Sequence, residues 1–184
     1  MSVVNRDPML KVMMGDLDKR IRKLEQSPAK RPYGAFYDTT TQTAASATAA
    51  YVVAVGSTSE SNLISVTSGN RLTVARKGVY LFTATAQFEN SGAADLDAEL
   101  WFAYNGTNVA WSNSIYNVPG KHGSVNGHTI AVITYLQSLN ANDYLTLNWK
   151  VEGTAVSIVS TTGLTSPTRP NVPGVIITMN EVAW

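Results

Sequence analysis

The sequence predicts an antiparallel β-sandwich or jelly roll preceded by a short α-helical arm. Three observations carry this. Apolar residues recur at heptad spacing over the first 25 positions and stop at Pro28. Several later segments alternate strictly between apolar and polar side chains, the period of a strand with one buried face. These segments are short, number eight or more, are separated by turn residues, and are joined by no second helical pattern.

At 184 residues, 44% hydrophobic and 15% charged, the chain has enough apolar material for one sizeable core and a small appendage. We divide it into an arm, residues 1–32, and a head, residues 33–184. Cysteine is absent, which rules out disulfides and thiolate metal sites. No stretch approaches the roughly 20 apolar residues of a membrane span, and the start lacks the basic-then-apolar order of a signal peptide. The expectation is a soluble protein made in the cytoplasm without a cleaved export signal, with no membrane partner.

The arm comes first. Leu10, Leu17 and Leu24 occupy d positions and Met14 and Ile21 occupy a, giving a coiled-coil core stripe on a helix of about 9–27. Arg20 then falls at g and Glu25 at the next e, placed for an ion pair between parallel chains. A lone amphipathic helix lying on its own domain would show the same stripe. Met9 to Leu24 spans roughly 24 Å, marginal for an isolated helix, so the coil cannot hold an oligomer alone. Pro28 and Pro32 bound a stiff linker.

Charge is uneven. Residues 1–32 hold eight Lys/Arg against four acids, and the remainder holds six against nine. Arg6, Lys11, Arg22, Lys23, Lys30 and Arg31 are candidate anchoring residues, although a solvated coil face explains the same charges. No aromatic lies among them for base stacking, and acids interrupt them, so nucleic acid is not an expected partner.

The head begins with a strand at Tyr33–Asp38. Thr39 to Ala50 contains only Thr, Ala, Ser and Gln and has little to bury, as befits a surface excursion or weak edge. From Gly78 to Asn90, Tyr80, Phe82, Ala84, Ala86 and Phe88 form one apolar face. Asp95 to Tyr104 repeats the pattern, with Leu96, Ala98, Leu100, Phe102 and Tyr104 opposite Asp95, Asp97 and Glu99. Asn105-Gly106 is a tight-hairpin dipeptide, after which Asn108 to Trp111 continues as strand. In Thr129 to Leu136 both faces are apolar: Ile130, Val132 and Leu136 on one, Ala131, Ile133 and Tyr135 on the other. Such a strand buries its outer face against a second subunit or under a loop. We assign Ala131, Ile133 and Tyr135 to a subunit interface. Asp143 to Val151 alternates again, and Gly174 to Trp184 is the last strand.

The order of these motifs resembles the C1q/TNF-like jelly-roll family: Gly78-Val79-Tyr80-Leu81-Phe82, Leu100 to Gly106 with its Asn-Gly turn, Leu139 and Asn142-Asp143 before an apolar strand, and Gly174 to Met179. The match covers about Tyr33 to Trp184. Asn142-Asp143 departs from the family's usual Gly-Asp. The resemblance implies a homotrimeric head, commonly on a stalk. The Ala/Thr/Ser-rich stretch from Thr39 to Val74 also resembles head modules in structural proteins of tailed bacteriophages. Ile at a with Leu at d favours a dimer on packing rules, and we expect the head to impose three chains.

The residues carry no catalytic motif: no Gly-x-Ser-x-Gly elbow, phosphate loop or His-Glu-x-x-His helix. His122 and His128 lack further ligands at a recognisable spacing. Asp95, Asp97 and Glu99 are read as a solvated face, with a hard cation as the alternative. Asn105-Gly106-Thr107 matches a glycosylation sequon that the turn already explains. The expected function is therefore non-enzymatic and free of cofactors: a homotrimeric virion protein, capsid decoration or head fibre, held by its arm to a capsid or tail protein. The alternative is a receptor-binding tip or short tail fibre whose loops, such as Asn113 to Asn126, contact a host surface glycan or protein.

Overall fold

The computed structural model describes residues 8–26 and 31–183, the side chains of residues 23–26 excepted. The chain divides into two units, Met1–Arg31 and Pro32–Trp184.

The first unit contains helix α1, Pro8–Gln26. Pro8 is well placed at a helix start, where its missing N–H costs nothing. Leu, Lys, Met and Arg then supply good helix formers, and Gly15 is the one weak position.

The second unit is antiparallel throughout its described strand pairings. Its chain runs through β1 (Tyr33–Asp38), β2 (Gln42–Thr43), β3 (Tyr51–Val52), β4 (Ser57–Asn62), β5 (Ile64–Thr67) and β6 (Arg71–Val74). Two long elements follow, β7 (Gly78–Asn90) and β8 (Leu96–Tyr104), then β9 (Thr107–Asn108), β10 (Ser114–Val118), β11 (Gly127–Leu139) and β12 (Tyr144–Val151). The final strands are β13 (Val156–Ile158), the small hairpin β14 (Leu164–Thr165) and β15 (Thr168–Arg169), and β16 (Val175–Ala183). One sheet orders β4-β1-β16-β7-β11, with β13 and β2 continuing beside β7; the other orders β5-β6-β12-β8-β10, with β3 on β12 and β9 on β8. The architecture is mostly β with one helix among the described residues, compatible with an all-β sandwich.

Alternation decides which side of each strand is inside. On β7, Tyr80, Phe82, Ala84 and Ala86 are 0% exposed, while Leu81, Thr83, Thr85 and Gln87 between them are partly open. The inner faces of the two sheets meet through aromatic rings: Phe82 of β7 lies edge-on to Phe102 of β8 with centroids 4.6 Å apart, and Phe88 of β7 meets Trp149 of β12 at 6.2 Å. Such pairs add roughly 0.5–1.5 kcal/mol each beyond their area. Asn105 and Gly106 both have positive φ, 47° and 83°, the geometry of the primed turn that a two-residue hairpin prefers.

Two expectations need correction. Only Thr107–Asn108 is strand after that turn; the chain then leaves the ladder, because Ser112 is drawn inward to bond Phe102 and Val109. Ala131, Ile133 and Tyr135 do not face outward. Ala131 and Ile133 belong to the chain's own core, Tyr135 packs against it, and the Tyr135 ring meets Phe102 at 5.6 Å. Ala131 and Ile133 are therefore unavailable to a trimer interface, Tyr135 is half-buried, and the exposed face of β11 is the opposite one.

Candidate functional site

On α1 the seam residues Leu10, Met14, Leu17 and Ile21 are 42–60% exposed. Met9, Val12 and Met13 are exposed as well, so the apolar surface is wider than the a/d stripe. Lys11, Arg20, Arg22 and Arg31 lie at the surface. Arg6 and Lys30 lie outside the described residues, as do the side chains of Lys23, Leu24 and Glu25, and with them the partner of Arg20.

The outer face of the first sheet is built by register. Val132 of β11 sits opposite Thr85 of β7, which faces Ile176 of β16, which faces Tyr37 of β1. The next rows are Thr134, Thr83, Thr178 and Ala35, then Leu136, Leu81, Asn180 and Tyr33. No Asp, Glu, Lys or Arg occurs in these three rows across β11, β7, β16 and β1, while on β4 Glu60 continues the Ala35 row. Ile130, Val132 and Leu136 are 53–61% exposed there. β11 has thirteen residues and pairs along one side with β7. Its other side approaches β10 through side chains: the Tyr116 hydroxyl donates to the Val132 carbonyl at 2.6 Å, and the Thr129 hydroxyl donates to the Asn117 carbonyl at 2.9 Å.

A second feature lies on the outer face of the other sheet. β8 pairs with β10 up to Leu100 and with β9 from Ala103. Opposite the gap, at Trp101 and Phe102, residues 109–113 leave the ladder, with Val109 and Ser112 turned inward and Ala110, Trp111 and Asn113 exposed. The Val109–Ser112 turn closes with the Ser112 amide donating to the Val109 carbonyl at 3.3 Å. Trp111, third in that turn, has φ 64°, where Gly or Asn is usual. A bulky residue in this conformation costs about 1–3 kcal/mol, and here the indole is 101% exposed.

Glu99, Trp101, Asn108, Val109, Trp111 and Asn113 line a cleft of about 220 Å³ beside it. The Trp101 indole N–H donates to Asn108 Oδ1 at 2.9 Å. Asn113 Nδ2 donates to Glu99 Oε2 at 2.7 Å, and Lys150 Nζ donates to Glu99 Oε1 at 3.2 Å. The Asn113 bond, followed by the Lys150 contacts, holds the Glu99 carboxyl below its usual range against the opposing effect of burial. Sequence reading placed Trp111 on a strand; the signal available was a tryptophan followed directly by the turn-favouring pair Ser112-Asn113.

Asp95 Oδ1 accepts from the Gly120 amide at 2.8 Å, and Glu152 Oε2 accepts from the Asp97 amide at 3.1 Å. His128 Nε2 stands 3.7 Å from Glu89 Oε2, while the His122 backbone bridges to Val125. Among the described residues no three His, Asp or Glu side chains converge as metal ligands. No described helix is long and apolar enough to cross a membrane. In comparisons with known proteins, neither a family model nor a curated sequence matches the chain.

Proposed function

We propose that the chain is a homotrimeric structural protein of a tailed-bacteriophage virion, a capsid decoration or head fibre, with the arm of residues 1–32 as its anchor and a C1q/TNF-like jelly-roll head exposed. The strand order supports the jelly roll. The main strands cross between sheets, β1 to β6, β7, then β8 and β10 together, then β11, β12 and β16, and so give the orders β1-β16-β7-β11 and β6-β12-β8-β10, the interleaving that two Greek keys give. The departure at Asn142 is physically small, because its φ is 70° and Asn tolerates the left-handed region that Gly would occupy.

The observation that carries the reading is the uncharged outer face over β11, β7, β16 and β1. Loss of charge at the centre of a patch distinguishes interfaces from ordinary surface better than hydrophobicity does. The heptad seam of α1 is a second surface suited to copies of itself, and Leu10, Met14, Leu17 and Ile21 would form its core, with Leu24 continuing the repeat. Three arms held by one head bind as a unit, which raises avidity by roughly 10² to 10⁴ without new contacts.

The test compares the parent chain with a Leu17→Asp/Ile21→Asp variant, mixing each with protein-stripped capsids and with host cells and measuring which it sediments with. The reading expects the parent to sediment with capsids and the variant to lose most of that binding while its head keeps its mass. Sedimentation with cells and not capsids would assign the protein to receptor binding instead.

A further inference from the structure

Trp111 combines two costs, a left-handed backbone and an indole wholly in water, with no internal contact that repays either. Strained aromatic residues of this kind cluster where ligands bind. Beside it, the cleft holds a second indole, Trp101, and a chain of polar groups fixed in place: Asn108 by the Trp101 N–H, Asn113 by Glu99, and Glu99 by Lys150. Anchoring by one bond each leaves these groups pre-oriented. Asn108 accepts through its Oδ1, which leaves its NH₂ as an unspent donor in that bond, and the Glu99 oxygens retain lone pairs beyond the ones engaged.

We propose that this cleft is a binding site for a neutral glycan, with the Trp111 indole stacking on the C–H face of a pyranose ring and Asn108, Asn113 and Glu99 meeting its hydroxyls. A flat apolar platform beside paired donors and acceptors matches a molecule that has an apolar face and a polar rim. Charge selects against the competing stackers. Glu99 lines the cleft with Lys150 paired to it, and Asp97 lies two residues before Glu99 on β8, so among the described residues lining the cleft there is no cation to hold a phosphate or nucleic acid. At about 220 Å³ the cleft is smaller than the roughly 300 Å³ at which drug-sized pockets begin, which suits one ring at a time and weak single-site binding raised by multivalency. The inference is independent of the chain's place on a virion.

The test uses the full chain and a Trp111→Gly variant. Glycine accepts positive φ freely, so the variant's melting temperature is expected to equal or exceed the parent's, which separates loss of binding from loss of fold. Both proteins are applied to a surface panel of neutral oligosaccharides with glucose, galactose, mannose or N-acetylhexosamine termini, with a single-stranded dT decamer as the anionic stacking control. The expected result is binding of at least one neutral glycan by the parent, weakened at least tenfold in the variant, and no binding of the dT decamer. Absence of binding across the panel, binding unchanged by Trp111→Gly, or preference for the dT decamer would overturn the proposal. So would a fall in oligomeric mass in Trp111→Gly, because the indole would then be a contact between copies of the chain.

Discussion

The end of β16 is held by one group of side chains. Glu181, whose side chain is fully buried, pairs with the Arg76 guanidinium through both carboxylate oxygens, and the Tyr80 hydroxyl donates to the Arg76 carbonyl at 2.7 Å. The bond to Glu181 raises the Arg76 pKa. Burial, reinforced by the Glu181 charge, pushes the Tyr80 phenol from 10.0 up to about 12. A phenol whose folded pKa is raised contributes stability below pH 10 that is lost as pH rises toward 12. Tyr80→Phe is therefore expected to be less stable than the parent by about 1 kcal/mol at pH 9, from the lost hydrogen bond. That gap should close by about 1 kcal/mol at pH 11 as the parent alone loses the phenol's contribution. Denaturant unfolding at the two pH values checks this, and a gap that does not change with pH would refute it. The burial of Tyr80 was legible from alternation, but its bonding was not, because Arg76 and Glu181 are brought together only by the pairing of β16 with β7. Gly127 is similar. A Cβ there would stand 1.7 Å from the Pro119 carbonyl oxygen, a close approach that a glycine in a Gly/Ser/Asn loop does not announce.

At the scale of elements, β7 and β11 show what a period of two reveals and what it leaves out. On β7 the polar residues fall on one side, so the inner face was legible. β11 is apolar on both sides, and a one-residue error in phase turns every side chain over; nothing local says which side the second sheet covers. The structure settles this for the single chain, turning Ala131 and Ile133 inward and leaving Ile130, Val132 and Leu136 exposed. An exposed apolar strand thirteen residues long is an association hazard unless something covers it. Val132→Asp should leave the fold of one chain within about 0.5 kcal/mol of the parent, as exposed substitutions do. If the face is the interface, the same change buries an unpaired charge in every contact. Self-association should then weaken on the order of 100-fold by sedimentation equilibrium, with the melting transition of dilute protein unchanged. An oligomer indifferent to Val132→Asp would move the interface elsewhere.

For the whole molecule, the fold class was legible because turn residues punctuate the chain at short intervals and one helical pattern precedes them. The cleft of Trp101 and Trp111 was not, since it depends on a gap in the pairing of β8 that no local spacing encodes. In the proposed trimer, two surfaces of different origin, the heptad-spaced apolar stripe on α1 and the uncharged sheet face on the head, would be covered by copies of the same chain. The marginal length of the helix means that, on this proposal, the stripe would follow association and not drive it. The proposal stands on a trimeric head, which native mass measurement of the full chain at micromolar concentration reads out. The expected result is a species of three chains, each of 19.8 kDa, that persists in Leu17→Asp/Ile21→Asp. A single chain at every concentration would contradict it.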